Sequence, residues 1–251
     1  MHIKENINRI YFNNPFSLWK IIDLIYPPFC CSCSQIGHEV CPKCFTSIVT
    51  TSSHSICKVC GNTLLAPGSH CTICNRIVPQ FDQARAWGIY DGVLKDIVQK
   101  IKYTRGFGLI EYIIPSIIEF INKWGISFSI VAPIPLGKIR NKERGYNQAG
   151  ILAKQIARKF SSKYDHTSLY RAKETRSQVG LNYPERKNNV RDAFALRNSV
   201  FDQQSVLLID DITTTFATLN EASRIIKSAG ALQVFCFTIA RAKNPIIRKE
   251  S

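Results

Sequence analysis

Beyond residue 80 the chain alternates short continuous apolar runs with segments whose apolar residues recur every three or four positions, the signatures of strand and helix. "ARAWGIY", residues 84–90, reads as a strand, and "VLKDIVQKIKY" then sets Val93, Ile97 and Ile101 on one helical stripe with lysines beside it. "IEYIIPSIIEFINKWG" predicts a second helical region, interrupted near Pro115, whose ring removes a backbone donor. "SFSIVAPIP" predicts a strand running into a rigid loop, "NQAGILAKQIARKF" a helix, and "VLLI" a short, fully apolar strand. In "TLNEASRIIKSAG" Leu219, Ala222, Ile225, Ile226 and Ala229 fall at helical intervals, with Gly230 the expected terminator. "LQVFCFTIAR" supplies a final strand. Strands and helices taking turns in this way predict an α/β domain on a parallel sheet, in which ligands bind beyond the carboxyl ends of the strands.

Before residue 81 the texture changes, and cysteine carries it. Nine of the ten cysteines precede residue 75, in "CCSC", "CPKC", "CKVC" and "CTIC". They give four C-x2-C pairs: Cys30 with Cys33, Cys41 with Cys44, Cys57 with Cys60, and Cys71 with Cys74. Thiolates two residues apart reach one ion from a tight turn, and two such pairs complete the tetrahedral sulfur set that zinc prefers. Seven residues separate the first two pairs and ten the last two, and both intervals suit a ribbon or knuckle. Sequential pairing puts Cys30, Cys33, Cys41 and Cys44 on one zinc and Cys57, Cys60, Cys71 and Cys74 on a second. An interleaved pairing, first with third and second with fourth, satisfies the same spacing. Cys31 is a spare thiol, and Cys236 within "VFCFTI" reads as a buried apolar residue. His38, His54 and His70 read as surface or locally bonded residues because the thiols already complete the sets. The chain thus divides into an amino-terminal helical arm over residues 1–29, a zinc-binding module over 30–80 and the α/β domain over 81–251.

Charge narrows the partners without choosing among them. With 33 Lys and Arg against 18 Asp and Glu, the net charge of +15 favours nucleic acid, phosphorylated ligands or an anionic membrane surface. No apolar run reaches the roughly 18 to 20 residues of a spanning helix, and the opening stretch has no small-residue cleavage site. The expected location is the cytoplasm, at the inner face of the membrane if Ile10 to Tyr26 makes a peripheral contact; a segment covering the domain's own apolar surface is the simpler reading of that stretch.

Candidate chemistry concentrates in "VLLIDDITTTFAT", Val206 to Thr218. Two carboxylates following a strand lie at its carboxyl edge, where they can accept hydrogen bonds from sugar hydroxyls, directly or through hydrated magnesium. Thr213, Thr214, Thr215 and Thr218 then bring hydroxyls and the amino end of a helix to an anion, and a phosphate fits there. A strand followed by an ordinary Asp/Thr helix cap is the plainer alternative.

This segment resembles the ribose-phosphate loop of type I phosphoribosyltransferases. Together with "VAPIPLGKIRNKERGYNQAGILAKQIA" and "ETRSQVGLNYPERKNNVRDAF" it resembles more narrowly the bacterial ComF competence family, an amidophosphoribosyltransferase-like group. The likeness runs from Cys30 to Arg241 and implies a type I phosphoribosyltransferase-like parallel sheet joined to an amino-terminal zinc module. It further implies that Asp210 and Asp211 face the ribose of 5-phosphoribosyl 1-pyrophosphate, bound with Mg2+, while Thr214, Thr215, Ala217 and Thr218 surround its 5-phosphate. Arg140, Arg144, Gly145, Tyr146, Asn147 and Gln148 match the family's basic block, with Tyr in place of Phe, and Gln178, Arg186 and Asn189 match a later one. Arg140, Arg144, Tyr146 and Asn147 are the candidates for contact with pyrophosphate or a nucleic-acid backbone.

Phe216 departs from the family pattern, which has glycine there. A loop needing a left-handed backbone at this point would be strained by a side chain, and the ring would narrow the pocket. The resemblance implies a function in DNA uptake in natural transformation, with single-stranded DNA held on basic surfaces, Tyr103, Phe107 and Tyr146 as stacking candidates, and the ribose-phosphate site retained. A competence helicase or a DNA-uptake channel protein is the expected partner. The alternative is an active phosphoribosyltransferase, displacing pyrophosphate at ribose C1 by a nitrogen nucleophile.

Overall fold

The computed structural model describes residues 27–51, 56–64, 69–103, 106–175, 185 and 189–242, apart from the side chain of Phe107. The expected arm up to residue 26, with Gln178, Arg186 and His54, lies outside the described residues.

Seven strands and seven helices are described: α1 (Pro42–Thr46), α2 (Thr72–Arg76), β1 (Gln83–Ile89), α3 (Gly92–Tyr103), α4 (Phe107–Trp124), β2 (Ile130–Pro133), α5 (Lys138–Arg144), α6 (Gln148–Lys159), β3 (Lys163–Tyr164), β4 (Leu169–Arg171), β5 (Phe194–Leu196), β6 (Ser205–Thr213), α7 (Ala217–Ser228) and β7 (Gln233–Arg241). Five strands form one sheet in the order β1-β7-β6-β2-β3, with parallel pairing throughout, as the alternating pattern predicts. β4 and β5 form a separate antiparallel pair.

The sheet is covered on both faces, which is why its central strands carry continuous apolar runs, 130–133 in β2, 206–209 in β6 and 234–237 in β7. Along β6 alternate residues serve alternate cores. Leu207 and Ile209 join Ile97, Ile101, Ile113, Ile117, Leu152 and Ile156 of α3, α4 and α6. Val206 and Leu208 join Leu219, Ala222 and Ile226 of α7, with Cys236 of β7. Each such side chain, fully buried, contributes about 1.5–3 kcal/mol of apolar transfer. The expected break at Pro115 does not occur: α4 runs unbroken from Phe107 to Trp124. Pro115 lies on the exposed side of the helix, while Ile113, Ile117, Ile118 and Ile121 are buried around it. Burial of that face holds the helix across the one lost hydrogen bond.

The cysteine-rich module shares these cores, and it straddles the outer edge of β1. Its first half packs on the α3/α4 face, where Phe45 meets Tyr112 edge-on with ring centroids 5.4 Å apart and lies beside Trp87. Its second half packs on the α7 face. The segment between them runs along β1: the Ile89 amide donates to the Val49 carbonyl at 2.9 Å, Thr50 bridges Gly88 in antiparallel fashion, and the Ala84 amide donates to the Val59 carbonyl at 2.7 Å. Gly88 permits this approach, since a Cβ there would stand 2.9 Å from the Val49 carbonyl oxygen and 2.6 Å from Leu94 Cδ2. No helix among the described residues is long and apolar enough to cross a membrane.

Candidate functional site

From β2 the chain passes through α6 to β3, and from β6 through α7 to β7 on the opposite face and in the opposite direction. The carboxyl ends of β2 and β6 therefore flank the point where strand order reverses, and a crevice opens there in sheets of this kind. Residues 134–148 and 210–218, parts of the two segments singled out from the sequence, meet at this edge.

The two adjacent acids have separate surroundings, because β6 extends to Thr213 and its side chains alternate. Asp211 turns to the α3/α6 side and is 5% exposed. Its carboxylate accepts from Gln148 Nε2 at 2.5 Å and from the Ile212 amide at 2.6 Å, and pairs with Lys102 Nζ at 3.2 Å. Asp210 shares strand parity with Leu208 and accepts the Asp211 amide at 2.8 Å. Burial, followed by repulsion from Asp211, pushes its carboxyl up to about 7, against the pull of that amide, Lys102 and Arg171. Asp210 is thus the acid with bonding capacity toward the crevice; Asp211 is occupied in holding α3, α6 and β6 together.

Thr214, Thr215, Ala217 and Thr218 gather, half-buried, around the amino end of α7. Thr213 Oγ1 accepts the Phe216 amide at 3.0 Å, and Thr215 Oγ1 accepts the Ala217 amide at 3.4 Å. Phe216 has φ 59° and ψ 11°, the left-handed conformation that glycine adopts without penalty. A non-glycine residue held there costs about 1–3 kcal/mol. The expectation that its ring would narrow the pocket is corrected by the packing: the ring is 5% exposed, buried in the α7 core against Phe81 at 5.5 Å and under the Arg241 guanidinium at 4.9 Å.

Across the crevice, Asn147 caps α6 by accepting the Ala149 amide at 3.1 Å and donates its Nδ2 to the Ile134 carbonyl at 2.9 Å. The Tyr146 hydroxyl donates to the Ile101 carbonyl at the end of α3. These two residues shape the loop, and the basic groups stand outside it. Arg140 and Arg144 are half-exposed, Lys138 and Lys142 fully so, all on α5, which buries no residue. The Arg144 guanidinium lies 5.5 Å from the ring of Tyr103, itself 73% exposed. Gln148 is buried on Asp211, Asn189 is half-buried, and Phe107 presents no described side chain.

Three residues here escaped the sequence analysis. Lys102, the partner of Asp211, is one lysine among several beside an amphipathic stripe. Arg171 bridges to Thr175 and stacks its guanidinium 5.3 Å from Phe194; burial lowers its pKa, with Arg140 adding to the effect. Glu174 accepts the Lys138 amide at 2.5 Å. Arg171 and Glu174 lie on and after β4, a strand too short to leave a pattern.

The cysteines form two sets, Cys30, Cys33, Cys41 and Cys44, and Cys57, Cys60, Cys71 and Cys74, each with its sulfurs within 4.8 Å of one another. Sequential pairing therefore holds and the interleaved alternative falls. Cys33 and Cys41 sulfurs stand 3.6 Å apart, as do those of Cys60 and Cys71. Tetrahedral zinc with bonds of about 2.3 Å separates its sulfurs by about 3.8 Å, so both sets fit the metal. Amides of Cys41 and Cys44 point at the Cys30 and Cys41 sulfurs, as thiolates require. Cys31 joins neither set, and Cys236 is fully buried in β7.

Residues 21–78 match the model of the double zinc ribbon domain. The chain is 29% identical to competence protein F of Haemophilus influenzae over 81% of its own length and 90% of that protein. It is 26% identical to the DNA utilization protein YhgH of Escherichia coli K12, over 85% of this chain and 97% of that one. Among solved structures, an adenine phosphoribosyltransferase from Thermoanaerobacter pseudethanolicus overlaps 55% of this chain and 83% of its own, at 12% identity and a TM-score of 0.37.

Proposed function

Starting from a homologue of competence protein F and YhgH that carries a double zinc ribbon, we propose that this protein handles single-stranded DNA in the uptake or use of DNA. The observation that carries the reading is the exposed Tyr103 ring with Arg144 over it, beside the basic residues of α5. A ring presented to solvent under a guanidinium offers a stacking platform for a base, and Lys138, Arg140 and Lys142 offer charge to the phosphates that follow it. Tyr146 and Asn147 contribute by fixing the turn from which α5 projects. The zinc sites serve structure, holding the module against both faces of the sheet. Work at the inner face of the membrane beside a competence helicase or a DNA-uptake channel protein suits this reading.

Asp210 and the hydroxyls at the head of α7 support a second component, retained binding of a 5-phosphoribosyl 1-pyrophosphate-type ligand. In it Asp210 receives a sugar hydroxyl, Thr214, Thr215 and Thr218 with the amide of Ala217 receive the phosphate, and Mg2+, when bound, offsets the pyrophosphate charge. Transferase turnover would in addition need a nitrogen acceptor to displace pyrophosphate at ribose C1, and among the described residues none with a fixed role as general base stands at this edge.

Fluorescence titration of a labelled oligonucleotide across a salt series, with and without Mg2+ and 5-phosphoribosyl 1-pyrophosphate, tests both. Tyr103→Ala is expected to weaken binding by roughly 5- to 100-fold with the salt slope retained, and Arg144→Ala to reduce the slope by about 1. Binding that ignores salt and both substitutions would overturn the DNA reading. Asp210→Asn is expected to abolish saturable binding of the sugar phosphate; the native protein failing to bind it would remove the second component alone.

A further inference from the structure

We infer that the second zinc ribbon holds the loop at the head of α7 in its left-handed shape, through Phe216 and Arg241. The loop carries its least favourable residue, Phe216 at φ 59°, at the turn into the helix, with the Phe216 amide held by Thr213 Oγ1. The ring sits in the α7 core, and its aromatic and its cationic contact both lead toward the ribbon. Phe81 follows the ribbon directly in the chain and packs on the ring at 5.5 Å. Arg241 covers the ring at 4.9 Å and, 8% exposed, donates Nη1 to the Cys60 carbonyl at 2.9 Å. A second tie runs to the first turn of α7, where Asn220 Oδ1 accepts the Gln80 amide at 2.8 Å.

The Cys60 carbonyl is presented by a turn that the metal set closes. Cys57 and Cys60 belong to one sulfur cluster, the Gly61 amide donates to the Cys57 carbonyl at 2.9 Å, and the Cys57 amide to the Asn62 carbonyl at 2.7 Å. So short a turn takes its shape from the metal rather than from a core of its own. Emptying the Cys57–Cys74 site releases that carbonyl, then Arg241, then the ring that holds the left-handed backbone. The first ribbon packs on the opposite face of the sheet and has no part in this chain of contacts. The coupling stands whether or not the loop binds a sugar phosphate, and its test uses no ligand.

The test is hydrogen exchange on the full chain, comparing the two-zinc protein with Cys74→Ser. Amides of residues 214–220 are expected to exchange at least tenfold faster in the variant, with those of α6 unchanged. Unchanged exchange at 214–220 in a variant shown by mass to have lost one zinc would overturn the inference. So would an equal rise across α6, since the metal would then hold the whole domain rather than this loop. Phe216→Gly supplies a route that needs no folding without metal. Under chelator competition, the zinc-release step missing from Cys74→Ser is expected to quicken at least fivefold in Phe216→Gly while the other step keeps its rate; equal rates in both proteins would sink the coupling.

Discussion

The two zinc ribbons are nearly the same object in different company. Each begins with a C-x2-C turn whose fourth residue after the first cysteine is left-handed, Ser34 at φ 62° and Gly61 at φ 65°. Each closes with an antiparallel bridge, Phe29 to Ile36 and Ile56 to Thr63, and each follows its third cysteine with a five-residue helix, α1 or α2. Their neighbours differ. The first ribbon sits under Phe45, Trp87 and Tyr112 on the α3/α4 face, and its Cys33 reaches solvent. The second keeps all four cysteines buried, and arginines take up the carbonyls of its turn: Arg85 those of Lys58 and Val59, Arg241 that of Cys60. Local sequence decides that a ribbon forms; what it lies against decides which part of the molecule it controls.

Breaking the ribbons one at a time gives the largest expected difference. Cys44→Ala and Cys74→Ala should each cost one zinc by native mass spectrometry. Cys44→Ala should also lower stability toward denaturant by several kcal/mol, because that site is set into the larger core. Arg85→Met sharpens the contrast on the other side. Removing a guanidinium that satisfies two turn carbonyls is expected to cost about 1–3 kcal/mol by urea unfolding and to leave zinc in the first site untouched. The smallest effect separates the loop from both ribbons. Asp210 has a folded pKa raised to about 7, so its contribution to stability is fully present below the ordinary carboxylate value near 3.8 and is lost as pH rises toward 7. Asp210→Asn should flatten the stability profile over that window, read by urea unfolding at a series of pH values, and a double variant with Cys44→Ala should flatten it equally.

Much of this was legible in the chain. The parallel α/β sheet, the four C-x2-C pairs and the turn into α7 all follow from spacing, because apolar period and ligand interval are local properties, whereas which pair joins which was settled only by the fold. Non-local facts were not. Ending the strand at Ile209 made Asp210 and Asp211 look like two residues of one loop; pairing with β7 carries the strand on to Thr213, and alternation then sends the two carboxylates to different neighbours. The left-handed backbone at Phe216 could be expected from the resemblance, but the destination of its ring depends on Arg241 and Phe81, which only folding brings together. Pro115 was misjudged for a similar reason, since propensity reads the residue and burial reads the face.

β1 is paired on one side with β7, and on the other the Ala84 and Ile89 amides and the Ala86 carbonyl are matched by Val59, Val49 and Thr51 of the cysteine-rich module. An unmatched outer strand is a template for other chains. A copy starved of zinc would uncover that template, so its failure would be contagious, recruiting neighbours into edge-to-edge assemblies, and metal supply would act on this protein as a guard against aggregation.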